Sequence, residues 1–111
     1  EMAVMLSGRG DPAWGDRGNL IWIAGADAFT PALSTGAMPG TTRAALMDAA
    51  ASAGLRLREG VFDRAALNAA EAVAVTNAVI GVAPCAFLDG RTLDAAHPVI
   101  ETLQRLERSA A

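Results

Sequence analysis

The chain is expected to fold as an α+β domain, with hairpin-linked strands in a mixed sheet and helices packed against it. Three observations lead there. Short apolar or alternating runs recur along the chain and read as strands. Other stretches carry apolar residues at helical spacing. Adjacent strand candidates are mostly separated by turn residues rather than by a helix, which disfavours a doubly wound parallel sheet. With 111 residues and 52% hydrophobic content there is apolar material for one core, although much of it is alanine.

Taken in order, Ala3-Val4-Met5-Leu6 is a short apolar strand, and Ser7 to Pro12 is a turn cluster that makes it half of a hairpin. Asn19 to Ala24 is a continuous apolar run, expected to be a strand buried on both faces. Gly25-Ala26-Asp27 reverses the chain, and Ala28-Phe29-Thr30 returns as the next strand. From Thr42 to Ala53 the pattern is helical, with Ala45, Leu46, Ala49, Ala50 and Ala53 on one face and Arg43 and Asp48 on another. Gly54 is placed to end that helix. Leu55 to Glu59 alternates apolar and charged residues, as a half-exposed strand does. Asp63 is expected to cap a short alanine-rich helix to about Ala70. Ala72 to Thr76 reads as a buried strand, broken by Asn77 to Ile80, and Val82 to Leu88 as another. Pro84 places that last strand at an edge or bulge, and Asp89-Gly90 predicts a hairpin turn. The final helix starts near Pro98, a favoured first helical residue, with Val99, Ile100, Leu103 and Leu106 facing inward.

Charge narrows the partners. A net charge of −3 argues against a nucleic-acid or anionic-membrane binder, and arginine-rich patches with interleaved aromatics are absent. The single cysteine, Cys85, excludes an internal disulfide and fits a reducing compartment. No apolar run reaches membrane-spanning length, so a cytoplasmic location is expected. No Cys/His/carboxylate spacing suggests a metal site.

The stretch most suggestive of chemistry runs from Thr30-Pro31 through Gly36, Met38, Pro39 and Gly40 to Thr41-Thr42-Arg43. The glycines and prolines forbid regular structure before the helix. Thr41 and Thr42 then stand at a helix N-cap and first turn, where free N–H groups and the helix dipole together bind anions such as phosphate. The same residues would serve a simple capped turn.

The order Asn19-Leu20-Ile21-Trp22, then Thr30-Pro31, then Met38-Pro39-Gly40-Thr41-Thr42-Arg43, resembles the signature of the class IV aminotransferases, the pyridoxal-phosphate enzymes of fold type IV. The resemblance covers nearly the whole chain. It implies the C-terminal domain of such an enzyme, a mixed pseudo-barrel of sheets flanked by helices, with pyridoxal 5'-phosphate as cofactor. It also implies an amino substrate of small-molecule type and a homodimer. Carried over residue by residue, Gly40, Thr41 and Thr42 match the phosphate cradle. Met38 matches the position whose side chain packs on the pyridine ring, a favourable thioether–aromatic contact. Asn77-Ala78 matches a second cofactor loop, where many aminotransferases have a threonine at the position of Ala78. The run from Asn77 to Cys85 is more similar to the aminodeoxychorismate lyases, although Asn77 is also a common turn former.

Two departures from the family pattern bear on activity. All nine basic residues are arginines, so the chain holds no lysine for the Schiff base that binds this cofactor. The family places that lysine a short way upstream of the position matching Glu1, so the chain is expected to be the C-terminal piece of a longer enzyme and inactive alone. Trp14 stands where the family has a glutamate that pairs with the pyridine nitrogen. An indole cannot accept that proton, and Asp16 reaches the place only through a register shift. The remaining candidates carry less. His97, before Pro98, suits capping or solvation. Cys85 reads as core. Arg43 either reinforces the phosphate loop or lies on the exposed helix face, and Arg91 reads as a solvated hairpin residue.

The activity this implies is that of a 4-amino-4-deoxychorismate lyase, which eliminates pyruvate from its substrate to give 4-aminobenzoate. The alternatives are a branched-chain or D-amino-acid aminotransferase on the same fold, and a non-catalytic domain retained for assembly or regulation.

Overall fold

A computed structural model describes residues 4–6, 8–15, 18–37, 40–88 and 91–110. The fold is α+β, as expected. A ribbon of β1 (Val4–Leu6) and β2 (Pro12–Gly15) leads into β3 (Asn19–Ala24), which pairs with β4 (Asp27–Pro31) across the reversal at Gly25 and Ala26. Helix α1 (Thr41–Ser52) crosses to β5 (Leu57–Gly60), which lies parallel to β4. After α2 (Arg64–Asn68), β6 (Ala72–Asn77) runs antiparallel to both β3 and β7 (Gly81–Cys85). A second ribbon, β8 (Phe87–Leu88) with β9 (Arg91–Thr92), precedes α3 (Pro98–Ala110). The central mixed sheet has the order β5-β4-β3-β6-β7.

Strand β3 is buried on both faces, and its alternation divides the core in two. Ile21 and Ile23 face α1 and α3, packing with Leu46, Ala74, Ile100 and Leu103. Leu20 and Trp22 face the other way, with Leu67 of α2, Val73 and Cys85. Trp22 also meets the rings of Phe29 and Phe62, with centroids 6.1 and 5.3 Å away. Ala28, Ala50, Ala72 and Ala74 are fully buried. In these places small side chains let the helices approach the sheet closely.

Several boundaries differ from the sequence reading. Helix α1 begins at Thr41, and Gly40 rather than a threonine is its N-cap. It ends at Ser52, with Gly54 just beyond at φ 76, a conformation glycine tolerates best. The strand expected at Leu55–Glu59 forms at Leu57–Gly60, and Asn77 belongs to β6. The strand expected over Val82–Leu88 is interrupted by a bend at Ala86, which separates β7 from β8. Pro84 is exposed on β7, an edge strand of the sheet, where its missing N–H costs nothing. Asp63 caps α2 as expected, its Oδ1 accepting from Ala66 N at 2.9 Å, but that helix stops at Asn68. The turn expected at Asp89-Gly90 lies outside the described residues.

At the end of the sheet where β3 turns into β4, three segments are tied by Glu71. Its Oε1 accepts from Gly25 N at 2.7 Å, and its Oε2 lies 3.1 Å from His97 Nε2. His97 Nδ1 accepts from Val99 N at 3.1 Å, so the ring caps α3 and turns its Nε2 proton toward Glu71. The capping role expected for His97 therefore holds, but the residue is buried rather than solvated. The Gly25 hydrogen bond, then the one from His97, hold the Glu71 carboxyl below its ordinary value. A depressed carboxyl contributes stability that is present above its unfolded pKa of 4.5 and lost as pH falls through the folded value. Glu71→Gln is accordingly expected to lower the melting temperature at pH 7, and the gap from wild type should close as the pH is taken below 4. A constant gap across that range would mean that Glu71 acts by packing alone.

Candidate functional site

At the opposite end of the sheet, four segments converge. The register pairs Asn19 of β3 with Thr76 of β6, and Asn77 with Gly81 of β7. Gly18, just before β3, lies so close to the Thr76 carbonyl and Asn77 Cβ that a side chain there would overlap the carbonyl oxygen. Gly40 meets the Oδ1 of Asn19 in the same way. The loop from β4 to α1 and the turn after β6, separate in sequence, are thereby brought to one place through Asn19 and Gly18.

Helix α1 enters this place without the usual N-terminal stabilisers. Gly40 has no side chain with which to cap it, and the first turn contains no acidic residue. The leading N–H groups of a helix lack intrahelical partners and carry the positive end of the dipole. Thr41 is exposed and Thr42 half-buried beside those groups. Such a donor set is suited to an anion.

The second loop contributes differently. Asn77 Oδ1 accepts from Val79 N at 2.9 Å and Ile80 N at 2.8 Å, shaping the turn into β7. Ala78 is exposed and offers backbone only. Met38 and Asp16 lie outside the described residues, and of Trp14 only the backbone is placed, opposite Met5. Of the positions carried over from the family, Gly40, Thr41, Thr42, Asn77 and Ala78 thus stand at one end of the sheet.

Two buried groups here were not legible in the sequence. Arg43 was expected on the exposed face of α1 or at the phosphate loop. Instead it is 5% exposed, pointing inward with Leu46 and Ala50. Its Nη2 donates to the Pro31 carbonyl at 3.1 Å and pairs with Glu59. Thr76 is fully buried, and its Oγ1 has no partner among the described residues. Thr76→Val should therefore raise stability by about 1 kcal/mol, because it removes an unpaired buried hydroxyl at nearly constant shape. Urea unfolding midpoints would register the gain; a loss would mean that the hydroxyl is satisfied in solution. Arg91, read as solvated, is exposed but donates to the Ala70 carbonyl at 2.8 Å. Cys85 is buried, as expected of a core thiol. Among the described residues no helix is long and apolar enough to cross a membrane, and no cluster of metal-binding side chains occurs.

Comparison with known proteins agrees with this architecture. The family model for Amino-transferase class IV matches residues 1–87. An aminodeoxychorismate lyase of Bacillus subtilis is 33% identical over 81 residues, covering 73% of this chain and 28% of that protein. The branched-chain amino acid aminotransferase of Escherichia coli superposes with a TM-score of 0.86 at 27% identity, covering 94% of this chain and 36% of that one. A Legionella pneumophila structure provisionally assigned as a 4-amino-4-deoxychorismate lyase reaches 0.93 at 24% identity, over 99% of this chain and 41% of that one, a likeness of fold. The chain thus spans well under half the length of each of these relatives. On the family match and the shared fold, this chain belongs to the class IV aminotransferases.

Proposed function

We propose that this chain is the C-terminal, phosphate-holding domain of a pyridoxal-phosphate enzyme whose reaction is that of an aminodeoxychorismate lyase. The observation that carries the reading is the uncapped start of α1 beside the turn after β6. The N–H groups of Thr41 and Thr42 would hold the phosphate, with the Thr42 hydroxyl as a further donor. Gly40 keeps the loop close to Asn19, so these donors stay aimed at one point. Asn77 fixes the turn that holds the backbone of Ala78 at the same end of the sheet, where it would line the second cofactor loop. When bound, the cofactor supplies an electron sink for the carbanion formed at the substrate α-carbon.

The lyase reading is supported by the run Asn77 to Cys85 and by Ala78, which lacks the hydroxyl found at that position in many aminotransferases of the class. Aminotransfer is the second reading, supported by the E. coli relative's fold and sequence. A non-catalytic domain is the third, supported by the lack of lysine and by Trp14.

The test uses the protein expressed from its complete gene. It is loaded with pyridoxal phosphate, reduced with borohydride, digested and searched by mass spectrometry for one pyridoxyl-lysine. Stoichiometric labelling, with pyruvate released in the absence of an amino acceptor, is the expected result. Labelling with acceptor-dependent transfer would favour the aminotransferase. No retained cofactor would leave the non-catalytic reading.

A further inference from the structure

Arg43 is oddly placed for a residue of an anion-binding helix. It lies in the first turn of α1, where a cation opposes the helix dipole. Yet its side chain is only 6% exposed and turns away from the solvent-facing tip. Its guanidinium reaches the ends of two parallel strands, donating to the Pro31 carbonyl of β4 and pairing with Glu59 of β5. Thr30 and Glu59 are register partners, as are Pro31 and Gly60, so Arg43 fastens the helix to both strands where they end. The start of the same turn is held by the close approach of Gly40 to Asn19. Contacts to three neighbouring strands, β3 through Gly40 and β4 and β5 through Arg43, therefore fix the first turn from which the free N–H groups of α1 project.

We infer that Arg43, held by Glu59, is a positioning residue for the phosphate cradle: it sets the aim of the α1 N-terminus and does not itself contact the anion. This rests on the phosphate reading of that helix end.

The sign of one substitution separates positioning from simple charge. Glu59 is 39% exposed, so Glu59→Gln can be made without filling or emptying the core. If the pair acted only through its field, removing a carboxylate near an anion site would strengthen phosphate binding. If Glu59 holds Arg43 in place, the same change weakens it. Arg43→Lys keeps the charge, but its shorter, more strongly hydrated ammonium does not reproduce the planar guanidinium whose Nη2 serves both acceptors, and it should weaken binding too.

The measurement is the affinity of the complete gene product for pyridoxal phosphate relative to pyridoxal, read by absorbance titration, with melting temperature taken alongside. The wild type should prefer the phosphorylated form. In both variants that preference should fall about tenfold, less than the roughly 100-fold that a misplacement of about 1 Å can cost. A purely structural tie would lower the melting temperature and leave the preference unchanged. An unchanged or increased preference in Glu59→Gln, or an unchanged one in Arg43→Lys, overturns the inference while leaving the phosphate site standing. No preference in the wild type overturns the phosphate reading itself, and the inference with it.

Discussion

Gly18→Ala is expected to cost about 2–3 kcal/mol, near the upper end of what overpacking costs in a well-packed site. A Cβ on Gly18 would lie closer than 3.0 Å to the Thr76 carbonyl oxygen, a separation that real Cβ atoms essentially never show. The obstacle is backbone, in the strand beside β3, so relief requires the β3–β6 pairing to open at its Asn19–Thr76 end. Gly40→Ala meets a side-chain oxygen instead, on Asn19, which is 5% exposed and has little room to move. Its cost should be smaller, about 1–2 kcal/mol, and paid partly by a shift of α1 that spoils the anion site. Gly8→Ala is the control. It has open space around it, and its change should stay within about 0.5 kcal/mol. Urea midpoints of the three variants give the ranking. Equal midpoints for Gly18→Ala and Gly8→Ala would mean that the close approach of Gly18 to β6 does not exist in solution.

The elements written in local signals were legible. The apolar run at Asn19–Ala24 reads as a doubly buried strand because both faces must be covered, and the core is indeed split across it. Glycine after α1 and proline at the start of α3 mark helix limits through backbone constraints that no distant residue alters. What was not legible depends on partners far along the chain. The charge of Arg43 argues for solvent and puts it with Asp48, on a face apart from Leu46 and Ala50; it is instead buried beside them, where Glu59 arrives through the parallel pairing of β5 with β4. His97 looks solvated until Glu71, 26 positions earlier, is placed beside it. The candidate site divides in the same way. Its two loops could be named from their own residues and from the family pattern. Their meeting depends on the β3–β6 register and on Gly18, which carries no such signal.

Thr41→Asp should move stability and cofactor affinity in opposite directions, and it makes the largest functional change expected of any single residue here. As the first residue of α1, Thr41 is exposed and stands in a turn with no acidic side chain. A carboxylate there complements the helix dipole and should add about 0.5 kcal/mol to stability. The same carboxylate would occupy the position and charge proposed for the phosphate. Juxtaposed like charges cost several kcal/mol, which corresponds to a loss of about 100-fold or more in affinity for pyridoxal phosphate. Pyridoxal, lacking the phosphate, should bind the variant within about twofold of wild type, since it brings no such repulsion. Thr41→Asn keeps a polar side chain of the same size without the charge, and should retain most of the binding of the phosphorylated form. A more stable Thr41→Asp protein that still prefers pyridoxal phosphate would place the anion elsewhere. Loss of preference together with a higher melting temperature is the result expected when the new carboxylate and the phosphate compete for the same helix end.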